Sequence, residues 1–293
     1  MKILVAGAAG QVGRELVEFC ITHDLDVIAC NREDLDISNR QKISEVVQKY
    51  SPSIIVNAAA YTAVDKAEEE EEKESAWAIN SEGVKNLALV CSEENILLVH
   101  ISTDYVFDGE KPSAYVEDDS TNPLGEYGKS KLAGELAIQK LCADFYILRT
   151  SWVFGQYGNN FVKTMLRLAQ KGNPLRVVSD QKGTPTPALM IAEAIVDVIK
   201  NKVTLESGIY HISGMPEVTW HEFACSIIDM ASRLGMCEKV DVQPITTAEF
   251  PTPAKRPQNS CLDSRKLFEA LNLTPRSWNT YLKGVLVSMQ KEL

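Results

Sequence analysis

The chain has 293 residues, 45% apolar and 24% charged, and its 30 Lys+Arg against 40 Asp+Glu leave a formal net charge of −10. That balance is expected of a soluble globular protein with a large core, and it disfavours nucleic acid and anionic membranes as partners, since both attract basic surfaces. No stretch approaches the roughly 18 apolar residues of a membrane span, and Met1-Lys2 leads straight into a strand pattern, so the expectation is a cytoplasmic protein.

Short apolar runs alternate with helix-period segments from the first residue. Strands are predicted at 2–6, 25–29, 53–57, 96–101 and 145–149, with helices at 11–23, 39–50, 76–92 and 127–141. Continuous Val/Ile/Leu runs separated by helices predict a parallel sheet covered on both faces, the doubly wound Rossmann-type α/β fold. After Thr150 the rhythm loosens. Helices are predicted at 160–170, 187–201, 220–234, 264–271 and near the C-terminus, and strands at 175–178, 209–212 and 240–242, among frequent prolines. The expected organisation is a nucleotide-binding domain at 1–150 and a smaller substrate-binding lobe at 151–293, interleaved with the last strands of the main sheet. The acidic run at 68–72 reads as a solvated helix face or loop. Seven scattered cysteines without a C-x-x-C read as reduced, inert thiols, and His23, His100, His211 and His221 form no metal-ligand pattern.

Between the first strand and helix stands Gly7-Ala8-Ala9-Gly10-Gln11-Val12-Gly13. Gly7 suits a tight turn, Gly10 lets the backbone of Gln11 and Val12 approach a pyrophosphate, and Gly13 allows close packing of helix on strand. The helix N-terminus then faces the anion. This G-x-x-G-x-x-G spacing resembles the short-chain dehydrogenase/reductases, in particular their extended subgroup. The second strand ends in Cys30-Asn31-Arg32, where an acid would bond a ribose 2′-hydroxyl and an arginine can neutralise a 2′-phosphate. Asn31 and Arg32 therefore favour NADPH, with NADH as the alternative. Asp36 and Ile37 match the superfamily's adenine contact, and the small side chains of Ala58, Ala59 and Ala60 would let the cofactor lie close to the third strand.

Tyr127-Gly128-Lys129-Ser130-Lys131 supplies Tyr-x-x-x-Lys, an i, i+4 pair on one helix face. A lysine cation beside Tyr127 is expected to lower the phenol from its usual value near 10, so that Tyr127 can give a proton to a carbonyl while Lys131 holds the nicotinamide ribose. Thr103, at the end of the fourth strand, occupies by resemblance the Ser/Thr position that hydrogen-bonds the reacting carbonyl, and Ser102 is the alternative. Asp104 is followed by Tyr105 rather than by a glutamate, so the acid/base pair that dehydration of a sugar nucleotide would need is missing. The remaining set suits simple ketone reduction.

The segments 102–109, 149–155, 158–165, 180–186, 250–257 and 57–68 together resemble dTDP-4-dehydrorhamnose reductases over essentially the whole chain. The resemblance implies reduction of the C4 ketone of dTDP-4-dehydro-L-rhamnose to dTDP-L-rhamnose, with Val64, Thr103, Asp104, Tyr127 and Trp152 lining the sugar pocket. A tryptophan face there would cover apolar C–H surface of the sugar. Lys255 and Arg256 either pair with the substrate diphosphate or form an exposed basic pair. Some members are described as magnesium-linked dimers held through glutamates. Glu15 matches one such position, but no second glutamate stands near Ala188-Leu189-Met190, so no metal is expected and the chain is a monomer or a homodimer. Two other readings stay open: a non-catalytic nucleotide-binding regulatory subunit, and a reductase or epimerase of a different nucleotide 4-ketosugar.

Overall fold

In the computed structural model, which describes residues 1–291, the five apolar runs of the N-terminal half become β1 (Lys2–Ala6), β2 (Asp26–Cys30), β3 (Ile54–Asn57), β4 (Leu97–Thr103) and β5 (Phe145–Thr150). A sixth strand, Gly208–His211, arrives from the C-terminal half and pairs with β5; the order continues β4, β3, β1, β2, and every pair is parallel. The helices are α1 (Gln11–Thr22), α2 (Arg40–Tyr50), α3 (Glu70–Trp77), α4 (Val84–Glu94), α5 (Glu126–Leu141), α6 (Phe161–Ala169), α7 (Ala188–Lys200), α8 (Trp220–Arg233), α9 (Arg265–Ala270) and α10 (Trp278–Lys291). None among the described residues is long and apolar enough to cross a membrane.

Alternation along each strand divides the core. Ile3, Val5, Ile54, Val56 and Val99 pack beneath α1, α7 and α9, whereas Leu4, Ile55 and Leu98 pack beneath α2, α4 and α5. Burial on both faces is why these strands read as unbroken apolar runs. A third cluster, built on Phe154, Val162, Phe223, Trp278 and Leu282, forms the smaller lobe. Gly208–His211 and α7, from the C-terminal half, complete the main sheet layer.

Strand order reverses about β1, which has β2 on one side and β3 on the other. Such a switch point opens a crevice at the carboxyl ends of the strands, where ligands bind in folds of this kind. Three local expectations need correction. The helix predicted at 76–92 starts earlier, as α3, and continues through a π-helical turn, Ala78–Gly83, into α4. The turn accommodates Asn80, whose side chain holds both backbone groups of Tyr61 and the Ser130 hydroxyl. The strand expected at 240–242 lies later, at Val242–Ile245, in register with Leu175–Val178. β4 runs two residues beyond its predicted end and thereby carries Ser102 and Thr103 as strand residues.

Candidate active site

The loop after β1 is shaped for an anion. Gly7 has φ +78°, and a Cβ there would lie 2.5 Å from Ala59 N; a Cβ on Gly13 would lie 2.2 Å from Gly7 O. Only glycine permits this contact between the β1 turn, the β3 end and α1. Gly10 caps α1 without a side-chain hydrogen bond, so the first N–H groups of the helix, at Gln11 and Val12, are left for a ligand. The Gln11 side chain is engaged elsewhere: it donates to Val153 O at 3.3 Å and accepts from Asn160 at 2.7 Å. At the end of β2, Asn31 Oδ1 accepts the Glu33 and Asp34 N–H groups, Arg32 is exposed, Asp36 accepts from Ser38, and Ile37 is buried. Ala58, Ala59 and Ala60 line the β3 side of the same crevice, all half-buried. The cradle therefore fits a dinucleotide pyrophosphate.

Thr103, Tyr127 and Lys131 converge at the carboxyl end of β4, all buried. The Thr103 hydroxyl lies close to the Tyr127 phenol and favours its ionised form. It also donates to Asp104 Oδ1 at 3.0 Å and accepts the Tyr105 N–H at 3.2 Å. Ser102, the alternative, points the other way: its hydroxyl donates to Glu135, whose carboxylate is held bidentately by Arg149 in a fully buried pair. Tyr127 departs from expectation. Burial pushes its phenol up to about 12, with Thr103 opposing. The Lys131 ammonium does not offset this, because it turns inward, donating to Ile101 O at 2.7 Å and meeting His100 at 3.3 Å. Burial brings Lys131 down to about 8, against the pull of Glu135. His100 was not legible as a site residue, since it precedes the 102–109 segment, and Asn57 stood only as the first residue of the 57–68 segment with no role of its own.

On the small-lobe side, Val64 packs near Tyr127 together with Tyr61 and Tyr105. Asp104 is 3% exposed, and its Oδ2 has no partner among the described residues. Burial raises this carboxyl to about 6. Trp152 has φ +46°, a strained conformation for a bulky residue. Its indole stacks on Trp220 with centroids 3.4 Å apart, and a Cβ on Gly183 would fall 2.4 Å from its Cε2. Trp220 thus covers one face of the half-buried ring. Arg256 donates to Asp65 Oδ2 at 2.7 Å and reaches Tyr105, while Lys255 is exposed, so the two cations are not an equivalent pair.

The model of the RmlD substrate-binding domain matches residues 1–291. A curated dTDP-4-dehydrorhamnose reductase from Aggregatibacter actinomycetemcomitans is 44% identical over 97% of this chain and 98% of its own length. The chain belongs to the dTDP-4-dehydrorhamnose reductase family. Two solved family structures superpose closely. The enzyme from Clostridium acetobutylicum gives a TM-score of 0.91 at 40% identity, covering 99% of this chain and all of its own. The enzyme from Bacillus anthracis, crystallised in complex with NADP, gives 0.90 at 37% identity, covering 98% and 100%. Glu15, the residue that matches the family's metal-linked contact, is 4% exposed, and burial raises its carboxyl.

Proposed function

We propose that this chain reduces the C4 ketone of dTDP-4-dehydro-L-rhamnose to dTDP-L-rhamnose, using NADPH. The observation that carries the reading is the buried convergence of Thr103, Tyr127 and Lys131 at the end of β4, beside a glycine cradle fit for a dinucleotide. The family relatives named for this reaction, and the NADP bound by the Bacillus anthracis enzyme, support it.

Gly7, Gly10, Gln11, Val12 and Gly13 would hold the pyrophosphate, Asp36 and Ile37 the adenine, Arg32 the 2′-phosphate, and Ala58 to Ala60 the path between. Bound NADPH supplies a hydride. Lys131 would hold the nicotinamide ribose. Thr103 orients the ketone oxygen by hydrogen bonding, and Tyr127 gives that oxygen its proton. A phenol kept protonated by burial suits a donor. Asp104 Oδ2, buried and without a partner, is a ready acceptor for a sugar hydroxyl. Val64 and Trp152 would bound the sugar, and Arg256, with Lys255 nearer solvent, would meet the diphosphate. The proposed setting is the cytoplasm, as a monomer or homodimer.

The test is NADPH oxidation, followed by absorbance, on adding dTDP-, UDP- and GDP-4-ketosugars. The dTDP substrate should turn over fastest, and Tyr127→Phe should lower kcat by about 10²–10⁴-fold. Absence of turnover on every ketosugar, or an undiminished rate in Tyr127→Phe, overturns the reading.

A further inference from the structure

His100 stands inside β4 with no exposed surface, one residue before the carbonyl that Lys131 bonds. Its ring lies between two nitrogen donors. Asn57 Nδ2 is 3.0 Å from Nδ1, and Lys131 Nζ is 3.3 Å from Nε2. The asparagine is not free to offer its oxygen instead, because Oδ1 accepts the Ala59 N–H at 3.1 Å, in the loop that borders the cofactor crevice.

A neutral imidazole has one N–H and one lone pair. Two donors therefore cannot both be satisfied while Lys131 is an ammonium. As a neutral amine it leaves every group partnered: Asn57 donates to Nδ1, Nε2–H donates to the amine lone pair, and the amine still donates to Ile101 O. A doubly protonated ring would meet donors on both sides, and burial beside Lys131 holds His100 well below its ordinary value. The other charged or titratable groups around the lysine are Glu135, one turn further along α5 and paired with Arg149, and Tyr127 with Asp104 at the outer end. Of these Glu135 favours the ammonium, so the donor crowding at His100 works against it.

We propose that His100, oriented by Asn57, is a positioning residue that loosens the hold of Lys131 on its proton and so lets the lysine resupply Tyr127 after each reduction. The proposal rests on the reductase reading above. In the balanced step, the Tyr127 O–H breaks as its proton goes to the C4 oxygen, and the hydride supplies the electron pair at C4. A Lys131 N–H then breaks, and its proton restores the phenol through one bridging hydroxyl, because the ammonium itself faces Ile101 O and His100. His100 Nε2–H bonds the amine left behind until solvent returns a proton.

Two measurements on ligand-free protein test this without turnover. In the native protein, ¹⁵N NMR of labelled histidine should show the Nε2–H tautomer at pH above the lysine transition; an Nδ1–H tautomer at every pH overturns the proposal. In His100→Gln, a side-chain oxygen can accept from the ammonium, so the Lys131 ¹³Cε titration, assigned by its loss in Lys131→Arg, should move upward by about one pH unit. That unit corresponds to about a tenfold change in the amine population. kcat should fall while its basic limb moves the same way, whereas a purely structural role for His100 would lower stability and leave the titration in place. An unmoved titration in a folded His100→Gln protein overturns the proposal, and should that variant not fold, the native tautomer decides. Failure of native protein to oxidise NADPH would strike the reductase reading alone, leaving both NMR results interpretable.

Discussion

Asp104 carries the clearest pH signature among single residues. Its carboxyl is 3% exposed, and burial raises it from 3.8 to about 6 despite the Ser260 and Thr103 hydroxyls. A folded-state value above the unfolded one means that the ionised form costs stability. The cost is absent below pH 4 and complete above about pH 7, where a shift of about two units corresponds to about 3 kcal/mol. Asp104→Asn does not titrate. Urea unfolding of both proteins at pH 4 and pH 8 should therefore show the stability difference moving in the variant's favour by up to about 3 kcal/mol at the higher pH, and a constant difference would contradict the assignment. The same shell marks what a sequence can convey about a residue. Thr103 and Ser102 are adjacent and chemically alike, and only strand alternation, which sends one hydroxyl to Tyr127 and the other to the Glu135–Arg149 pair, separates them. Whether Lys131 lowers Tyr127 was equally beyond reach, because it depends on the Ile101 carbonyl and the His100 ring drawing the ammonium away.

At the level of elements, the helix that carries Tyr127 and Lys131 has no local N-cap: Gly125 precedes it and provides no side chain. The cap comes from the acidic run, where Glu68 Oε1 accepts the Glu126 N–H at 2.8 Å, and a Cβ on Gly125 would lie 2.4 Å from that oxygen. A carboxylate at a helix N-terminus also meets the positive end of the helix dipole. Glu68→Ala should cost about 0.5–2 kcal/mol, the range for loss of a cap, read by denaturant unfolding. kcat should drop as well, because Tyr127 is the second residue of the helix. Gly125→Ala should reproduce the effect by displacing Glu68, and a Glu68→Ala protein with native stability would refute the capping role. Glu72, which accepts from the Tyr61 hydroxyl, is likewise committed, so the run is less a solvated face than it reads. Its charge pattern was plain in the sequence, but its partner lies 58 residues away and no local signature announces it. The glycine turn, the five strands of the N-terminal half and the Tyr-x-x-x-Lys helix were legible because each is decided by neighbours in sequence. The π-helical turn at Ala78–Gly83 was not, since Asn80 is satisfied only by Tyr61 and Ser130.

For the whole molecule, charge is divided between the halves: residues 1–150 carry 14 Lys+Arg against 27 Asp+Glu, and residues 151–293 carry 16 against 13. An acidic nucleotide-binding half facing a mildly basic lobe makes the joint between them the natural place for a diphosphate, and Arg256 stands at that joint. It bonds Asp65, from the segment after β3, and the hydrogen bond from Ala254 N to the same carboxylate ties the two segments a second time. Arg256 thus has two candidate roles, a strap between the halves and a diphosphate ligand, and a pair of substitutions separates them. If it is only a strap, Asp65→Asn and Arg256→Ala should raise KM for the nucleotide sugar equally, and the double variant should be no worse than either. If it also meets the diphosphate, Arg256→Ala loses a charge-assisted hydrogen bond of about 1.5–3 kcal/mol, or about 10–100-fold in KM, while Asp65→Asn releases the guanidinium toward the phosphates and raises KM little or not at all. The second pattern is expected. Steady-state kinetics on the single and double variants distinguish the two, with equal effects from the single substitutions assigning Arg256 to the strap alone.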